Sequence, residues 1–147
     1  MSGAMLSNRI TVANEVAELR RMSDWLWTCG AAAGISPEVL QHLDVCANEA
    51  VYNIIRYAYA DCARHEIEME LSKTAEGARL LIRDDGKPFN MLDAPAPAQP
   101  RNLDEAEAGG LGIHLIRRLT AHCDYERRDG FNLLGLEARR QMHTSDA

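Results

Sequence analysis

The chain has 147 residues, of which 46% are hydrophobic, and it carries a formal net charge of −6 with a pI near 5.3. This length predicts one domain over residues 1–147, which can bury roughly 68–70% of the surface that the unfolded chain exposes. The acidic balance argues against nucleic-acid binding, which needs clustered Lys and Arg. No stretch approaches the roughly 18 apolar residues of a membrane span and no signal-peptide core is found, so we expect a cytoplasmic protein without membrane contact.

The first half of the chain is predicted to form one strand followed by two helices. Residues 6–12 are rich in β-branched and apolar side chains, which favours a strand. Residues 14–33 place apolar side chains three and four positions apart, as an amphipathic helix does. Ser36 then supplies an N-cap and Pro37 a first helical residue, so a second helix is predicted from there to about Tyr59.

The second half is predicted to contain four strands in two pairs. Alternating apolar side chains indicate strands at 65–73 and 78–83. Two further strands, 123–128 and 131–139, flank Asp129-Gly130, which is a strong signal for a two-residue hairpin turn. Each pair is therefore expected to form a hairpin.

A long irregular segment and a short helix separate the two strand pairs. The segment, at about 89–109, is rich in proline and acidic residues and is interpreted as a lid. Residues 112–121 are predicted to be helical. The whole order predicts an α/β (α+β) two-layer sandwich, with a mixed, mostly antiparallel sheet and helices on one face.

A carboxylate and an amide lie on one face of the second predicted helix. Glu49 and Asn53 are four residues apart, so their side chains lie about one turn from each other. Mg²⁺ keeps several waters and takes few protein oxygens, so the amide oxygen of Asn53 is a sufficient anchor, and Glu49 can orient or deprotonate an attacking group. Taken alone, such a pair is more often a solvated helix face.

A strand runs directly into Asp84-Asp85-Gly86. The Asp84 carboxylate accepts hydrogen bonds only and the adenine amino group donates them, so an Asp at a strand end can select that base. Gly86 has no side chain to block the approach of the ring. In isolation, a plain Asp-Asp-Gly turn is the more common interpretation.

A glycine-rich stretch, GGLG at 109–112, leads directly into the third predicted helix. Glycines let successive backbone N–H groups face a phosphate chain, and the helix that follows adds the positive end of its dipole. The alternative is a flexible joint after the lid. The stretch matches neither the P-loop nor the dinucleotide-binding pattern.

Taken in order, these three pieces resemble the Bergerat-type ATP-binding fold shared by gyrase, Hsp90, histidine kinases and MutL. The likeness is greatest to the anti-sigma-factor serine kinase branch. LDVCANEAVYN at 43–53 resembles the N box of the family, DDGKPF at 84–89 its D-x-G-x-P-F box, and GLGI at 110–113 its second glycine box. The occurrence of all three in this order is far more specific than any one of them.

The resemblance implies a role for each matching residue. Glu49 is the candidate general base, Asn53 the candidate Mg²⁺ ligand and Asp84 the candidate adenine ligand. The remaining positions of the candidate nucleotide site are Gly86, Gly110, Leu111, Gly112 and Asn132. Asn132 stands where the kinases commonly have Thr near the adenine, which leaves this contact open.

The resemblance also implies ATP and Mg²⁺ as cofactors and a particular set of partners. The expected function is phosphorylation of a STAS-domain anti-anti-sigma factor on serine, together with sequestration of a sigma factor or other regulator, by a homodimer. The alternative is a non-catalytic module that binds partners in a nucleotide-dependent way. A histidine kinase would need a dimerisation helix pair that carries a substrate His, for which we find no room in 147 residues.

Overall fold

The structure is a computed structural model that describes residues 7–93 and 111–140. Five strands and three α-helices lie within these ranges, with short 3-10 turns at Val16–Glu18 and Met91–Asp93. In chain order the elements are β1 (Arg9–Ala13), α1 (Leu19–Ala32), α2 (Pro37–Tyr57), β2 (Glu66–Lys73), β3 (Gly77–Asp84), α3 (Leu111–Leu119), β4 (His122–Arg128) and β5 (Phe131–Arg139).

The strands form one sheet in the order β1-β2-β3-β5-β4. All four strand pairings among the described residues are antiparallel. The sequence predicts a mixed, mostly antiparallel sheet, so the mixed character is not found in these residues. The helices α1 and α2 carry the chain away from the sheet and back, so β2 starts opposite the end of β1, with Ala13 paired to Glu66. The expected two-layer sandwich is confirmed.

The core lies between the helices and one face of the sheet. The strand side chains that alternate towards the helices are buried, and they include Ile67, Met69, Leu80 and Ile82. The other face carries charged pairs, such as Arg83 Nη1 and Glu68 Oε1 at 2.8 Å. Burying each large apolar side chain stabilises the fold by roughly 1.5–3 kcal/mol, so this alternation decides which face the helices cover.

Helix α1 begins later than the apolar pattern indicated. The Glu18 carboxylate accepts a hydrogen bond from the Ala13 backbone N–H at 2.8 Å, which ties the end of β1 to a 3-10 turn before Leu19. Gly30 lies inside α1, near its C-terminal end. A Cβ on Gly30 would stand 2.2 Å from Leu40 Cδ2, so this glycine permits close packing of α1 on α2.

The start of α2 and the last hairpin follow their sequence signals. Ser36 Oγ accepts a hydrogen bond from the Val39 N–H at 3.3 Å, and Pro37 is the first helical residue. The helix ends at Tyr57, two residues before the predicted end. Asp129 and Gly130 both have positive φ, 55° and 85°, as a two-residue type I′ turn requires. Among the described residues, no helix is long and apolar enough to cross a membrane.

Replacing the N-cap of α2 tests how much this helix start contributes to stability. We predict that Ser36→Ala lowers the free energy of unfolding by about 1 kcal/mol, because it removes the acceptor for a first-turn N–H. Urea unfolding measures the change. Ser72→Ala, at an exposed position of β2, is the control, and an equal loss in both variants would contradict the assignment.

Candidate functional site

Helix α2 carries the two polar residues of the first motif on the side that faces α3. Asn53 is 3% exposed, whereas Glu49, one turn earlier, is half-buried. No hydrogen bond joins either side chain to another group in residues 7–93 and 111–140. The fully buried, unpaired polar atoms of those ranges are His42 Nδ1 and Tyr59 OH. The Asn53 amide is therefore not sealed off, but keeps a narrow opening to solvent.

Glu49 meets the start of α3 directly. A Cβ placed on Gly112 would stand 2.5 Å from Glu49 Oε1, so a larger residue here would displace the Glu49 carboxylate. The carboxylate of α2 thus lies beside the first turn of a nine-residue helix that begins at Leu111. Gly110, the other glycine of this predicted box, lies outside the described residues.

Asp84 ends β3 and is 4% exposed. Its Oδ1 accepts hydrogen bonds from Gly86 N at 2.8 Å and from Asn132 Nδ2 at 3.0 Å. The sheet register brings this about, because Asp84 pairs with Asn132 across β3 and β5. Burial raises the pKa of the Asp84 carboxyl, although both hydrogen bonds act in the opposite direction.

Gly86 ties the Asp84 cluster to the end of α2. A Cβ on Gly86 would stand 2.6 Å from both Cβ and O of Ala58, the residue that caps α2. The next residue strengthens the contact, since Lys87 N donates to Ala58 O at 2.8 Å. The loop after β3 is therefore held against the C-terminal end of the helix whose middle carries Asn53.

The described residues gather most of the predicted site along one helix. Asp84, Gly86 and Asn132 form one hydrogen-bonded cluster at the Ala58 end of α2, and Glu49 and Gly112 are in contact near its middle. At 1.5 Å per residue, Glu49 and Ala58 are roughly 13 Å apart along the axis. Asn53 lies between them.

Two residues of this cluster were missed by the sequence analysis. Tyr125 OH and Arg127 Nη1 both donate to Asn132 Oδ1, the latter at 3.2 Å. Arg127 also donates to Gly86 O at 2.7 Å. The hairpin signal could have found them, because a two-residue turn at 129–130 places Arg127 opposite Asn132, and Tyr125 shares its face of the strand.

Part of the predicted site cannot be compared with the structure. Residues 94–109, which make up most of the predicted lid, lie outside the described residues together with Gly110. The start of the predicted lid is described. There Phe89 N donates to Asn132 Oδ1 at 3.3 Å, and the buried Met91 belongs to a 3-10 turn.

The donor set suits Mg²⁺ bound through a nucleotide and not a protein cage. The described residues contain no group of three or more His, Cys, Asp or Glu side chains that could hold a metal ion. The Asn53 amide, buried without a hydrogen-bond partner yet open to solvent, offers one oxygen of the kind that Mg²⁺ accepts beside phosphates. The residues present therefore fit a phosphate-bound Mg²⁺.

The fold and these motifs define a class of protein. The chain belongs to the histidine kinase-like ATPase domain family, whose model matches residues 12–137. The resemblance recognised from the three motifs is thereby confirmed.

Among individual proteins, the chain is similar to a protein kinase. The serine/threonine-protein kinase BtrW of Bordetella bronchiseptica is 36% identical over 94 residues, which cover 64% of this chain and 66% of that protein. The match thus spans just under two thirds of the length of this curated relative. This similarity agrees with the serine kinase branch indicated by the sequence.

Two solved structures share the fold. The RsbU and RsbW domains of a Mycobacterium tuberculosis protein match with a TM-score of 0.56 and 15% identity, over 89% of this chain and 32% of that one. The histidine kinase domain of a blue-light activated kinase from Erythrobacter litoralis matches with a TM-score of 0.52 and 17% identity. That match covers 96% of this chain and 67% of the other.

The raised pKa of Asp84 predicts how its replacement affects stability. A folded-state pKa above the unfolded value means that the ionised carboxylate destabilises the fold, and that this cost disappears as pH falls through the folded pKa. We therefore predict that Asp84→Asn is more stable than the wild type near pH 7.5 and that its advantage shrinks near pH 4.5.

Urea unfolding at several pH values measures this difference. Asp24→Asn, at an exposed position of α1, is the matched control for the loss of one carboxylate. A pH-independent difference for Asp84→Asn would contradict the assignment of a burial-raised pKa.

Proposed function

We propose that the chain binds Mg²⁺-ATP along α2 and transfers the γ-phosphoryl group to a serine of a partner protein. The observation that carries the proposal is the row of Asp84, Asn53 and Glu49. The first is at the Ala58 end of the helix, the second in the middle and the third against the start of α3. An adenine ligand, a metal ligand and a general base in this order suit one bound nucleotide.

Asp84 reads the base in this proposal. Its Oδ1 is taken by two donors, and within the described ranges no donor reaches Oδ2, which is therefore available to the amino group of adenine. Ala58 and Gly86 lie in contact beside it, so the ring meets backbone and small side chains. An ionised carboxylate in a buried position gives a strong hydrogen bond to a donor and a strong penalty to an acceptor.

Asn53 and the start of α3 hold the phosphates. The amide oxygen of Asn53 would hold Mg²⁺, which would offset the charge of the phosphates. The N-terminal turn of α3 offers backbone N–H groups and a positive dipole end to an anion. These two groups position the triphosphate with its terminal phosphate near Glu49.

Glu49 accepts the proton of the attacking serine hydroxyl. Its carboxylate is half-buried, forms no hydrogen bond within the described ranges, and lies beside the predicted phosphate end of the site. The hydroxyl oxygen attacks the γ-phosphorus, the bond to the β-γ bridging oxygen breaks, and ADP leaves. The main contributions to the rate are then positioning and electrostatic stabilisation of the transferred group.

The similarity to named relatives supports the choice of substrate. The Bordetella relative is named a serine/threonine-protein kinase, and one structural neighbour contains an RsbW domain. We therefore propose a STAS-domain anti-anti-sigma factor as the phosphorylated partner and a sigma factor or other regulator as the sequestered one. We also propose that the protein forms a homodimer and acts in the cytoplasm.

Two substitutions on α2 separate catalysis from nucleotide binding. We predict that Glu49→Gln leaves the affinity for Mg²⁺-ATP unchanged but slows single-turnover transfer to the partner serine by about 10²–10⁴, the usual effect of a positioned general base. Glutamine keeps the packing against Gly112. Asn53→Ala should instead weaken Mg²⁺-ATP binding, because it removes a metal ligand.

The assay measures transfer from labelled ATP beside a calorimetric titration for each variant. Gln41→Ala, at an exposed position of the same helix, is the control and should match the wild type in both. Wild-type transfer rates in Glu49→Gln would overturn the catalytic assignment. Nucleotide binding without transfer to any STAS-domain protein would instead favour the non-catalytic partner-binding module.

A further inference from the structure

Asn132 is almost fully buried and forms hydrogen bonds through both ends of its amide. Its Oδ1 accepts from three donors, namely Phe89 N at 3.3 Å, Arg127 Nη1 at 3.2 Å and Tyr125 OH. Its Nδ2 donates to two acceptors, Asp84 Oδ1 at 3.0 Å and Lys87 O at 2.8 Å. The residue itself is 3% exposed.

These partners permit only one orientation of the Asn132 amide. Turning it over would place the NH₂ group against two groups that can only donate, Phe89 N–H and the Arg127 guanidinium, and the oxygen against the Lys87 carbonyl and the Asp84 carboxylate. Each buried mismatch of this kind costs about 1–3 kcal/mol. The donor end of Asn132 therefore faces Asp84.

The fixed amide determines how Asp84 presents itself to a ligand. Burial raises the pKa of Asp84, which favours the protonated form, and a protonated carboxyl can donate as well as accept. The Asn132 NH₂ group counteracts this, because it donates to Oδ1 and stabilises the ionised form. With Oδ1 so occupied, Asp84 offers a pure acceptor at Oδ2. An acceptor matches the 6-amino group of a purine and repels a 6-oxo group.

We propose that Asn132, held in one orientation by Arg127 and the Phe89 N–H, is a positioning residue that makes the site select 6-amino purines over 6-oxo purines. This inference rests on the proposed ATP site and adds to it the network behind Asp84. Asn132 acts through Asp84, and Arg127 acts through Asn132. The geometry also explains why the Arg127 side chain turns towards this cluster, because its guanidinium bonds both to Asn132 and to the Gly86 carbonyl.

The chain offers a matched pair of arginines for the test. Arg127 and Arg128 are neighbours on β4 with opposite orientations, and both are exposed residues. Arg128 pairs with Glu126 on the far side of the sheet, at 2.6 Å, and does not contact the cluster. Arg127→Gln therefore removes a hydrogen bond to the Asn132 amide. Arg128→Gln removes the same positive charge and leaves the hydrogen bonds of Asn132 in place.

The experiment compares the dissociation constants of ATP and inosine triphosphate, both with Mg²⁺, for the wild type, Asn132→Leu, Arg127→Gln and Arg128→Gln. The two nucleotides differ in the 6-position and the protonation of the adjacent ring nitrogen, so their ratio reports on Asp84. We expect the wild type and Arg128→Gln to prefer ATP by about tenfold or more, as one buried mismatch predicts. The preference should fall by about fivefold or more in Asn132→Leu and by a smaller factor in Arg127→Gln.

The ratio of the two dissociation constants, measured on the same sample of each variant, separates positioning from a general loss of stability. Equal weakening of both nucleotides in Arg127→Gln, with the wild-type ratio retained, would overturn the inference, because it would make the network a structural support only. That variant also decides the matter if Asn132→Leu does not fold. A wild type that binds both nucleotides equally would overturn the inference and leave the ATP site standing. A wild type that binds neither would overturn both.

Discussion

The candidate site depends on two close approaches of backbone to helix α2. At one point Gly86 meets Ala58, and at the other Gly112 meets Glu49, and a Cβ at either glycine would stand within 2.6 Å of its neighbour. These contacts hold the loop after β3 and the start of α3 against the same helix. Without them, Asp84 and the α3 N-terminus would lie farther from Asn53, and one ligand could not reach all three.

Burial of polar groups at this site is a cost that the fold offsets elsewhere. Asp84, Asn53 and Asn132 are each less than 5% exposed. Asn132 is satisfied within the protein, whereas Asn53 and one oxygen of Asp84 have no protein partner in the described ranges. Unlike His42 Nδ1 and Tyr59 OH, which are the fully buried unpaired atoms of the described ranges, these groups keep some contact with solvent and so retain hydrogen-bonding capacity that a ligand could use. The apolar contacts of α2 with the sheet supply the compensating stability.

Local chemistry made much of the fold predictable. Ser36-Pro37 marks the start of α2, Asp129-Gly130 marks the last hairpin, and the order of the motifs indicates the family. The strand directions were not predictable in the same way, because they depend on where the α1-α2 pair returns the chain. The late start of α1 had a similar cause, since Glu18 bonds to the backbone of β1 and no periodicity signals that contact.

The site itself was predictable as far as motifs reach. Glu49 and Asn53 lie on α2 and Asp84 lies at the end of β3, where the sequence pattern had placed them. The partners of Asn132 were missed, because they depend on register across β3, β5 and β4. The 129–130 turn sets the register of β4 against β5. The register of β5 against β3, which pairs Asp84 with Asn132, has no such local signal. Long-range pairing of this kind is set by the folded sheet and not by local sequence.

The central claim is that one nucleotide lies along α2 with its base at Asp84. Calorimetric titration of Mg²⁺-ATP into the wild type and into Asp84→Asn tests it most directly. The account predicts that the wild type binds and that the variant, still folded, binds about tenfold more weakly or worse, because its amide can turn a donor towards the adenine amino group. Equal affinity in the two proteins would contradict the account.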